Sequence, residues 1–519
     1  MIYYIVCSII IVAFFALLLK QLCVDLKNAQ NAWFRIAFCI VLAALFKFDF
    51  GITFCGLEYE DSYAYSFLAR EFANDIYTQS FLSEGIGIGS LTSPVLMQTY
   101  GGHFITYSVL LSLPIRLFGF SFTVISITTS LLQFLSLVIL SVFLRPTDSL
   151  RWMIAPIVYC ISPIINVFGN TYLCEPFSGL LVLSFIYLYY KQIGKEKVSI
   201  SIMIAFLIAI MTKRENLVLM TIPLIHYCYI VIKNKVLLKG KELFSLAVFC
   251  LLIFVYLIFV QNIFAIELTE AQDIETSTFS FLYFCRLAPV FIKSLLNPYY
   301  FGITTIILLS LIARSFYLKS LSVNEFALIS VWLLYFLLYT FHYRGYFFVQ
   351  GESVSEFDTF RYLNNYYCVT PILISLLIKD LSNRKFAYCI FVMLLLLSIY
   401  PTMTLRRNFN EDEWFCRFDA PNKALDIIKN EETTFSSVII STDVLTLQNL
   451  GDETLFVCDA VHYDKLDFNK TGFQYYMLCR DGDIEYLQQR YGPTIDINRW
   501  TMLFDFGNGS KLFKYRRAE

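Results

Sequence analysis

Long apolar runs recur from one end of the chain to the other, and they limit its fold more than any other feature. Three of them lie at 1–19, 246–260 and 388–400. A helix needs roughly 20 mostly apolar residues to cross the hydrocarbon core of a bilayer. Of the 519 residues, 57% are hydrophobic and only 16% are charged, whereas a soluble protein carries about 25% charged residues. The sequence therefore predicts a polytopic α-helical membrane protein.

The apolar segments divide the chain into candidate spans, of which we expect about 11–13 to cross the membrane. The first has no basic segment before it and no small-residue cleavage site after it, so it is predicted to be a retained span. The stretch 279–296 is interrupted by Arg286, Pro289 and Lys293 and is predicted to lie on the bilayer surface. The candidate spans are 2–19, 36–55, 104–118, 122–144, 152–168, 172–190, 198–212, 216–232, 243–265, 299–313, 325–341, 362–378 and 386–401.

Basic connecting segments decide the expected orientation, because cytoplasmic loops are enriched in Lys and Arg. The first long loop, 56–103, is then expected outside, as are Glu175 and the segment 213–215. Four apolar segments lie between this outer loop and the next cytoplasmic one, where an odd number of crossings is required. The short segment 104–118 is the weakest candidate span of the four. The sequence does not decide which of the four fails to cross the membrane on its own. The basic segments are 191–197, 233–241, the Arg314/Lys319 turn and 379–385.

The chain becomes charged after Pro401, which predicts a boundary between a membrane domain, 1–401, and a small domain, 402–519. The second part contains an amphipathic segment at 420–430. Gly and Asn mark the turn of a final hairpin. The sequence predicts a small extracytoplasmic α/β domain. Its strand-like runs lie at 436–441, 454–460, 473–479 and 501–515.

Several classes of function lack support in the composition. A net charge of −1 argues against a nucleic-acid partner, which needs a basic stripe. The four histidines show no paired spacing, and the fourteen cysteines form no CxxC pair, so no metal site is predicted. Acids at 58–61 are able to attract a divalent cation, but nothing in the sequence requires one.

Three carboxylates stand at the entrance to the first outer loop, in the stretch LEYEDSYAY at 57–65. They are Glu58, Glu60 and Asp61. The apolar residues after Asp61 follow helical spacing, which predicts an amphipathic helix over 62–74. Two interpretations stand side by side. Asp61 caps this helix, or one carboxylate acts as a general base that takes the proton of a sugar or lipid hydroxyl.

Cations with acidic neighbours recur in two other expected outer positions. Lys213 and Arg214 stand between two apolar runs without a polar spacer, as ionisable groups that line a functional cavity do, although an ordinary outer turn fits as well. Arg361 enters a late span and either binds a phosphate or pairs with Asp358. Glu175, followed by a proline, reads as an ordinary helix start.

These motifs together resemble a known family. The pair Glu60-Asp61 is followed by an aromatic-rich helix, and later come HFITYSVLLSLPIRLFGFS, YLCEPFSGLLVL, MTKRENLVL and FRYLNNYYCVTPIL. This order is similar to that of the polytopic glycosyltransferases of the GT-C fold, particularly lipid A aminoarabinose transferases and protein O-mannosyltransferases. The pair reads Glu-Asp where the family more often has Asp-Glu, so either acid is a candidate base.

The resemblance implies a fold, a donor and a set of roles. It implies an inner-membrane enzyme that moves a sugar from a polyprenyl-phosphate donor to a glycan, lipid or protein acceptor, with inversion and without a required cofactor. Asp61 or Glu60 would be the base. The donor phosphate would be held by Lys213, Arg214 and Arg361, and the sugar or acceptor pocket would include Glu58, Tyr63, Tyr65 and Glu175.

Two other functions remain as alternatives. A polysaccharide polymerase or ligase would also use outer cations, but would depend less on an acidic pair in the first loop. A transporter or flippase of lipid-linked sugars is less favoured, because broken or charged helices do not recur at matching places in two halves of the chain.

Overall fold

A computed structural model describes most of the chain. Some helical side chains also lie outside the description, among them those of Glu60, Asp61, Tyr63 and Arg361. The described residues are 2–46, 60–75, 106–144, 151–163, 166, 173–192, 199–234, 240–263, 280–297, 301, 303–341, 356–378, 384–411, 416–431, 436–441, 455–459, 466, 468, 472–480, 497–507 and 509–516.

Sixteen α-helices and five strands make up this described part, with short 3₁₀ helices at Arg151–Met153, Arg214–Met220 and Ile497–Arg499. The helices are α1 Ile2–Asn28, α2 Ala32–Phe46, α3 Glu60–Ala73, α4 Thr106–Phe118, α5 Phe122–Phe143, α6 Ile154–Ile161, α7 Glu175–Gln192, α8 Ile200–Thr212, α9 Thr221–Asn234, α10 Gly240–Ile263, α11 Phe281–Leu296, α12 Thr304–Tyr317, α13 Val323–Phe341, α14 Glu356–Leu377, α15 Arg384–Glu411 and α16 Cys416–Asn430. The strands are β1 Ser436–Ser441, β2 Leu455–Asp459, β3 Phe473–Arg480, β4 Trp500–Asp505 and β5 Ser510–Tyr515.

The chain divides into two compact units. The first unit comprises Met1–Gly56 and Phe104–Arg407, and the second comprises Leu57–His103 and Asn408–Glu519. The boundary proposed from sequence at Pro401 falls inside α15, which continues through the proline to Glu411. Proline removes only one backbone donor, and membrane helices tolerate it where neighbouring groups satisfy the freed carbonyl.

The first unit is built of apolar helices. Among the described residues, four segments are long and apolar enough to cross a membrane by length and composition: Tyr4–Asn28, Thr123–Phe143, Arg214–Lys233 and Val323–Phe341. Eight further apolar helices are 10–17 residues long. Large apolar side chains such as Ile9, Trp33 and Leu397 are exposed on the outside of the unit, as expected where lipid is the solvent. The protein is an integral membrane protein.

Local sequence explains where several helices begin. Ser121 caps α5 by accepting a hydrogen bond from the backbone N–H of Val124 at 3.2 Å. Ser322 and Glu325 form a reciprocal capping box at the start of α13, with distances of 2.7 and 3.3 Å between each side chain and the other residue's N–H. Gly119, with φ of +81°, allows the turn between α4 and α5, since residues with a Cβ rarely adopt that conformation.

Helix α7 is the centre of the first unit. All of its residues from Glu175 to Tyr189 are buried, and it packs against α5, α8 and α14. The interior also holds many small polar side chains, including Ser178 and Ser184 on α7 itself. Small residues let helix backbones approach closely in a membrane, where burial of apolar surface does not drive helices together.

Helix α11 lies within the segment 279–296, which the sequence predicts to be on the bilayer surface. It packs against α13 and α14 through a buried face that includes Leu287 and Phe291. Its other face exposes Phe281 and Leu282. The structure confirms a helix here, and its position at the bilayer surface stays a prediction.

The second unit contains a five-stranded mixed sheet in the order β2-β1-β3-β5-β4. Strand β1 pairs in parallel with β2 and β3, and β5 pairs antiparallel with β3 and β4. Helix α16 covers one face through Leu425 and Ile428. The other face buries an aromatic cluster that includes Tyr475, Trp500 and Tyr515. The predicted strands and the final hairpin are all present in this sheet.

An ion pair joins α16 to the sheet. The carboxylate of Glu431 accepts hydrogen bonds from Lys514 Nζ at 2.6 Å and from the Tyr476 hydroxyl at 2.7 Å. Burial raises the pKa of Glu431, but the hydrogen bonds from Lys514 and Tyr476 and the charge of Lys514 outweigh burial and leave that pKa below its ordinary value. Burial and the hydrogen bond to Glu431 raise the pKa of Tyr476.

Replacing Glu431 by Gln is expected to destabilise this unit by about 1 kcal/mol at pH 7. Because the folded-state pKa of Glu431 is lowered, this stabilisation is present above the unfolded-state pKa of about 4.3 and is lost as the pH falls through the lowered value. Hydrogen exchange of β3 and β5 in the full chain should be about fivefold faster in the variant at pH 7, and the difference should shrink below pH ~4. The control is Asp426→Asn, an exposed residue of α16. Equal exchange in both variants at pH 7 would contradict the expectation.

Candidate functional site

The candidate site in the first unit is a polar turn between α8 and α9. Helix α8 ends at Thr212, and Lys213 has an extended backbone with φ −146° and ψ 130°. Its N–H still donates to the carbonyl of Ala209 at 3.1 Å. A 3₁₀ helix, Arg214–Met220, follows at once. The MTKRENLVL motif thus passes from α8 into the 3₁₀ helix with only Lys213 between them, so its charged residues lie at the end of an apolar helix.

Lys213 forms a buried ion pair with Glu175. Its Nζ donates to Glu175 Oε1 at 2.7 Å, and the two residues are 8% and 1% exposed. The pair forms because Glu175 begins α7 and Lys213 follows the end of α8, so an antiparallel pair of packed helices places them side by side. A charge buried in this way needs its partner, since an uncompensated ion in a low-dielectric interior is costly.

Arg214 differs from its neighbour. Its side chain is exposed and that of Glu215 is half-buried, and both lie close to Tyr256 of α10. Two consecutive cations therefore occupy different environments: one is buried against a carboxylate, and the other presents its guanidinium at the surface of the unit. A guanidinium binds phosphate oxygens with two parallel hydrogen bonds.

The side chain of Asn216 forms hydrogen bonds to three other residues. It is fully buried. Its Nδ2 donates to Ser178 Oγ of α7 at 3.0 Å and to the carbonyl of Ala209 at 2.8 Å. Its Oδ1 accepts from the hydroxyl of Tyr335 on α13 at 2.8 Å. We call these four residues the Asn216 network; it connects the turn to three helices.

Helix α4 also reaches this region. The hydroxyl of Thr106, at the first position of α4, donates to the carbonyl of Met211 at 2.7 Å. Next to it, the ring of Tyr107 stacks on that of Phe177, with centroids 6.1 Å apart. The segments resembling the family at 103–121, 172–183 and 211–219 are therefore adjacent in the fold.

The other predicted site residues lie on α3 and α14 or outside the described residues. The predicted helix over 62–74 is present as α3, which begins at Glu60, so Asp61 lies in its first turn. Tyr65 is buried, and the side chains of Glu60, Asp61 and Tyr63 are outside the described part. Arg361 lies on α14, five residues after its start, and its side chain is likewise not described. Glu58 falls outside the described residues.

No metal centre is present among the residues that the structure describes. No group of three or more His, Cys, Asp or Glu side chains there is arranged to hold an ion.

No protein-family model matches the chain, and no curated protein matches it in sequence. Solved structures do match its fold. ArnT from Cupriavidus metallidurans bound to undecaprenyl phosphate superposes with a TM-score of 0.58 at 12% identity, covering 94% of this chain and 98% of that one. The apo state of the same protein gives 0.57 at 12% identity, covering 93% and 97%.

A third similar structure is the Archaeoglobus fulgidus oligosaccharyltransferase in complex with zinc and sulfate. It has a TM-score of 0.53 at 13% identity, and the match covers 92% of this chain and 73% of that one. At these identities the likeness concerns the fold. The expected GT-C-like membrane fold with a small C-terminal sheet region is therefore confirmed.

The structure reveals partners that the sequence did not predict. Glu175 and Lys213 were each candidates, but their pairing was not foreseen, and neither Asn216 nor Tyr335 was singled out. The one signal available was the polar Asn216 within an otherwise apolar run directly after the charged residues. Membrane-embedded amides of this kind commonly bond across helices.

Proposed function

We propose that the protein is a membrane glycosyltransferase. It takes a sugar from a polyprenyl-phosphate donor and transfers it to a hydroxyl of a glycan, lipid or protein at the outer face of the inner membrane. The observation that carries this proposal is the cationic turn at 213–214, placed at the end of an apolar helix in a fold similar to that of ArnT bound to undecaprenyl phosphate.

The proposed reaction requires a base for the acceptor hydroxyl and cations that stabilise the phosphate leaving group. The acceptor oxygen attacks the anomeric carbon from the side opposite the phosphate, so the configuration inverts as the carbon–oxygen bond to the phosphate breaks. Asp61 or Glu60 takes the hydroxyl proton, a contribution of typically 10²–10⁴-fold for a positioned base. The phosphate leaves with its negative charge, which preorganised cations stabilise.

Three cations are proposed to stabilise the phosphate leaving group: Arg214, Arg361 and Lys213. Exposed Arg214 binds the phosphate oxygens directly, and Arg361 is proposed to do the same. Lys213 donates one hydrogen bond to Glu175, and its positive charge is proposed to stabilise the leaving phosphate. Glu58, Tyr63 and Tyr65 are proposed to contribute to the sugar or acceptor pocket, and Glu175 is proposed to orient Lys213 through their ion pair.

Arg214→Gln is expected to weaken the binding of undecaprenyl phosphate at least tenfold, because a charge-assisted hydrogen bond contributes about 1.5–3 kcal/mol. Binding to the purified full-length protein in detergent is read from the rise in unfolding temperature with ligand concentration. Arg314→Gln, an exposed arginine at the end of α12, is the matched control and should bind as the wild type does. A wild-type protein that does not bind undecaprenyl phosphate would contradict the proposal.

A further inference from the structure

We infer that Asn216 and Tyr335 are positioning residues that hold the 213–214 cations in the arrangement that a lipid phosphate binds. This inference rests on the proposed function and adds two residues to it that neither touch the substrate nor carry charge. They act through the shape of the turn.

The hydrogen bonds of the Asn216 network leave little freedom in the orientation of the amide. The carbonyl of Ala209 can only accept, so the nitrogen of the Asn216 amide must face it. The oxygen then faces α13, and Tyr335 must donate to it. Both N–H groups of the amide are used, since the second reaches Ser178.

The same network stabilises the junction between α8 and the 3₁₀ helix. The carbonyl of Ala209 accepts both the backbone N–H of Lys213 at 3.1 Å and the side chain of Asn216 at 2.8 Å. The N–H of Asn216 in turn donates to the carbonyl of Lys213 at 3.1 Å. Lys213 is therefore bonded on one side to a carbonyl that Asn216 also bonds, and on the other side to the N–H of Asn216 itself. A 3₁₀ turn has weaker hydrogen-bond geometry than an α-helix, so side-chain support of this kind sets where Lys213 and Arg214 point.

Tyr335 anchors the network to α13. It is fully buried, and its hydroxyl is a donor to the Asn216 oxygen. Removing this hydroxyl takes that donor from a buried amide oxygen, which costs free energy and favours a rearrangement of the amide. The turn moves with it, because the amide is bonded to the turn and to α8 at once.

The experiment compares two tyrosines that make the same kind of bond. Tyr335 donates to an amide oxygen at 2.8 Å, and Tyr159 of α6 donates to Gln133 Oε1 of α5 at 2.9 Å. Both are buried. Replacing either by Phe removes one hydroxyl and one hydrogen bond, so the two variants should lose similar thermal stability.

Only Tyr335→Phe should weaken the binding of undecaprenyl phosphate, by about fivefold, whereas Tyr159→Phe should bind as the wild type does. The effect of Tyr335→Phe should also be much smaller in the Arg214→Gln background, because positioning acts through a cation that is then absent.

Three results would overturn the inference while leaving the proposed function in place: wild-type affinity in Tyr335→Phe, an equal loss in Tyr159→Phe, or fully additive losses in the double variant with Arg214→Gln. Failure of the wild-type protein to bind undecaprenyl phosphate would overturn both together, so the two failures are distinguishable.

Discussion

Replacing Asp61 by Asn together with Glu60 by Gln is expected to abolish sugar transfer while the chain still inserts into the membrane. Without a carboxylate to take the hydroxyl proton, the rate should fall by about 10²–10⁴-fold. The measurement compares the cell-surface glycans of a strain lacking the protein, complemented with wild type or variant, by mass spectrometry. The product that disappears in the deletion strain should return only with the wild type.

The control for this experiment lies on the same helix. Glu71 is also a carboxylate of α3, but it pairs with the neighbouring Arg70 at 3.7 Å, so Glu71→Gln should retain transfer. The single variants Asp61→Asn and Glu60→Gln then identify the base, since only one of them should reproduce the full loss. Full activity in the double variant would refute the role of the acidic pair.

Lys213→Met is expected to destabilise the protein by about 3–5 kcal/mol, because it leaves the carboxylate of Glu175 buried without its partner. Glu175→Gln should cost a similar amount, since the buried ammonium then loses its carboxylate. The double variant should recover much of the loss, because no uncompensated charge remains. Unfolding temperatures of the purified proteins in detergent test the three variants as a cycle.

The same cycle separates folding from function. If Lys213 also binds the donor phosphate, the double variant should be well folded and still bind undecaprenyl phosphate poorly. Ser184→Ala, which changes another buried polar residue of α7, serves as a control for altered packing in that helix. Losses that simply add in the double variant would contradict the coupling of the two charges.

Most of the architecture was predictable from the sequence, because periodicity and length are local properties. The apolar runs predicted helices such as α7 and α13, and the spacing after Asp61 predicted α3. The strands of the C-terminal sheet followed from short β-branched and aromatic runs. Their order in the sheet did not, since pairing depends on contacts between segments that are far apart in the chain.

The candidate site was predictable only in part, and for the same reason. Lys213 and Arg214 were noticeable as cations without a polar spacer, yet nothing local shows that one is buried against Glu175 and the other exposed. That difference arises from how α7 packs on α8. Asn216 was missed because an isolated amide in an apolar run has no characteristic spacing, and its three partners come from three helices.

The second unit is assembled from two parts of the chain that are hundreds of residues apart. Helix α3, which carries Asp61, leaves the ribosome long before β1 is synthesised, and at about 5–20 residues per second the interval is tens of seconds. The segment with the proposed base is therefore synthesised well before the sheet of its own unit. A chain that stops before β1 would contain every residue assigned to catalysis and would lack half of the unit that holds the base.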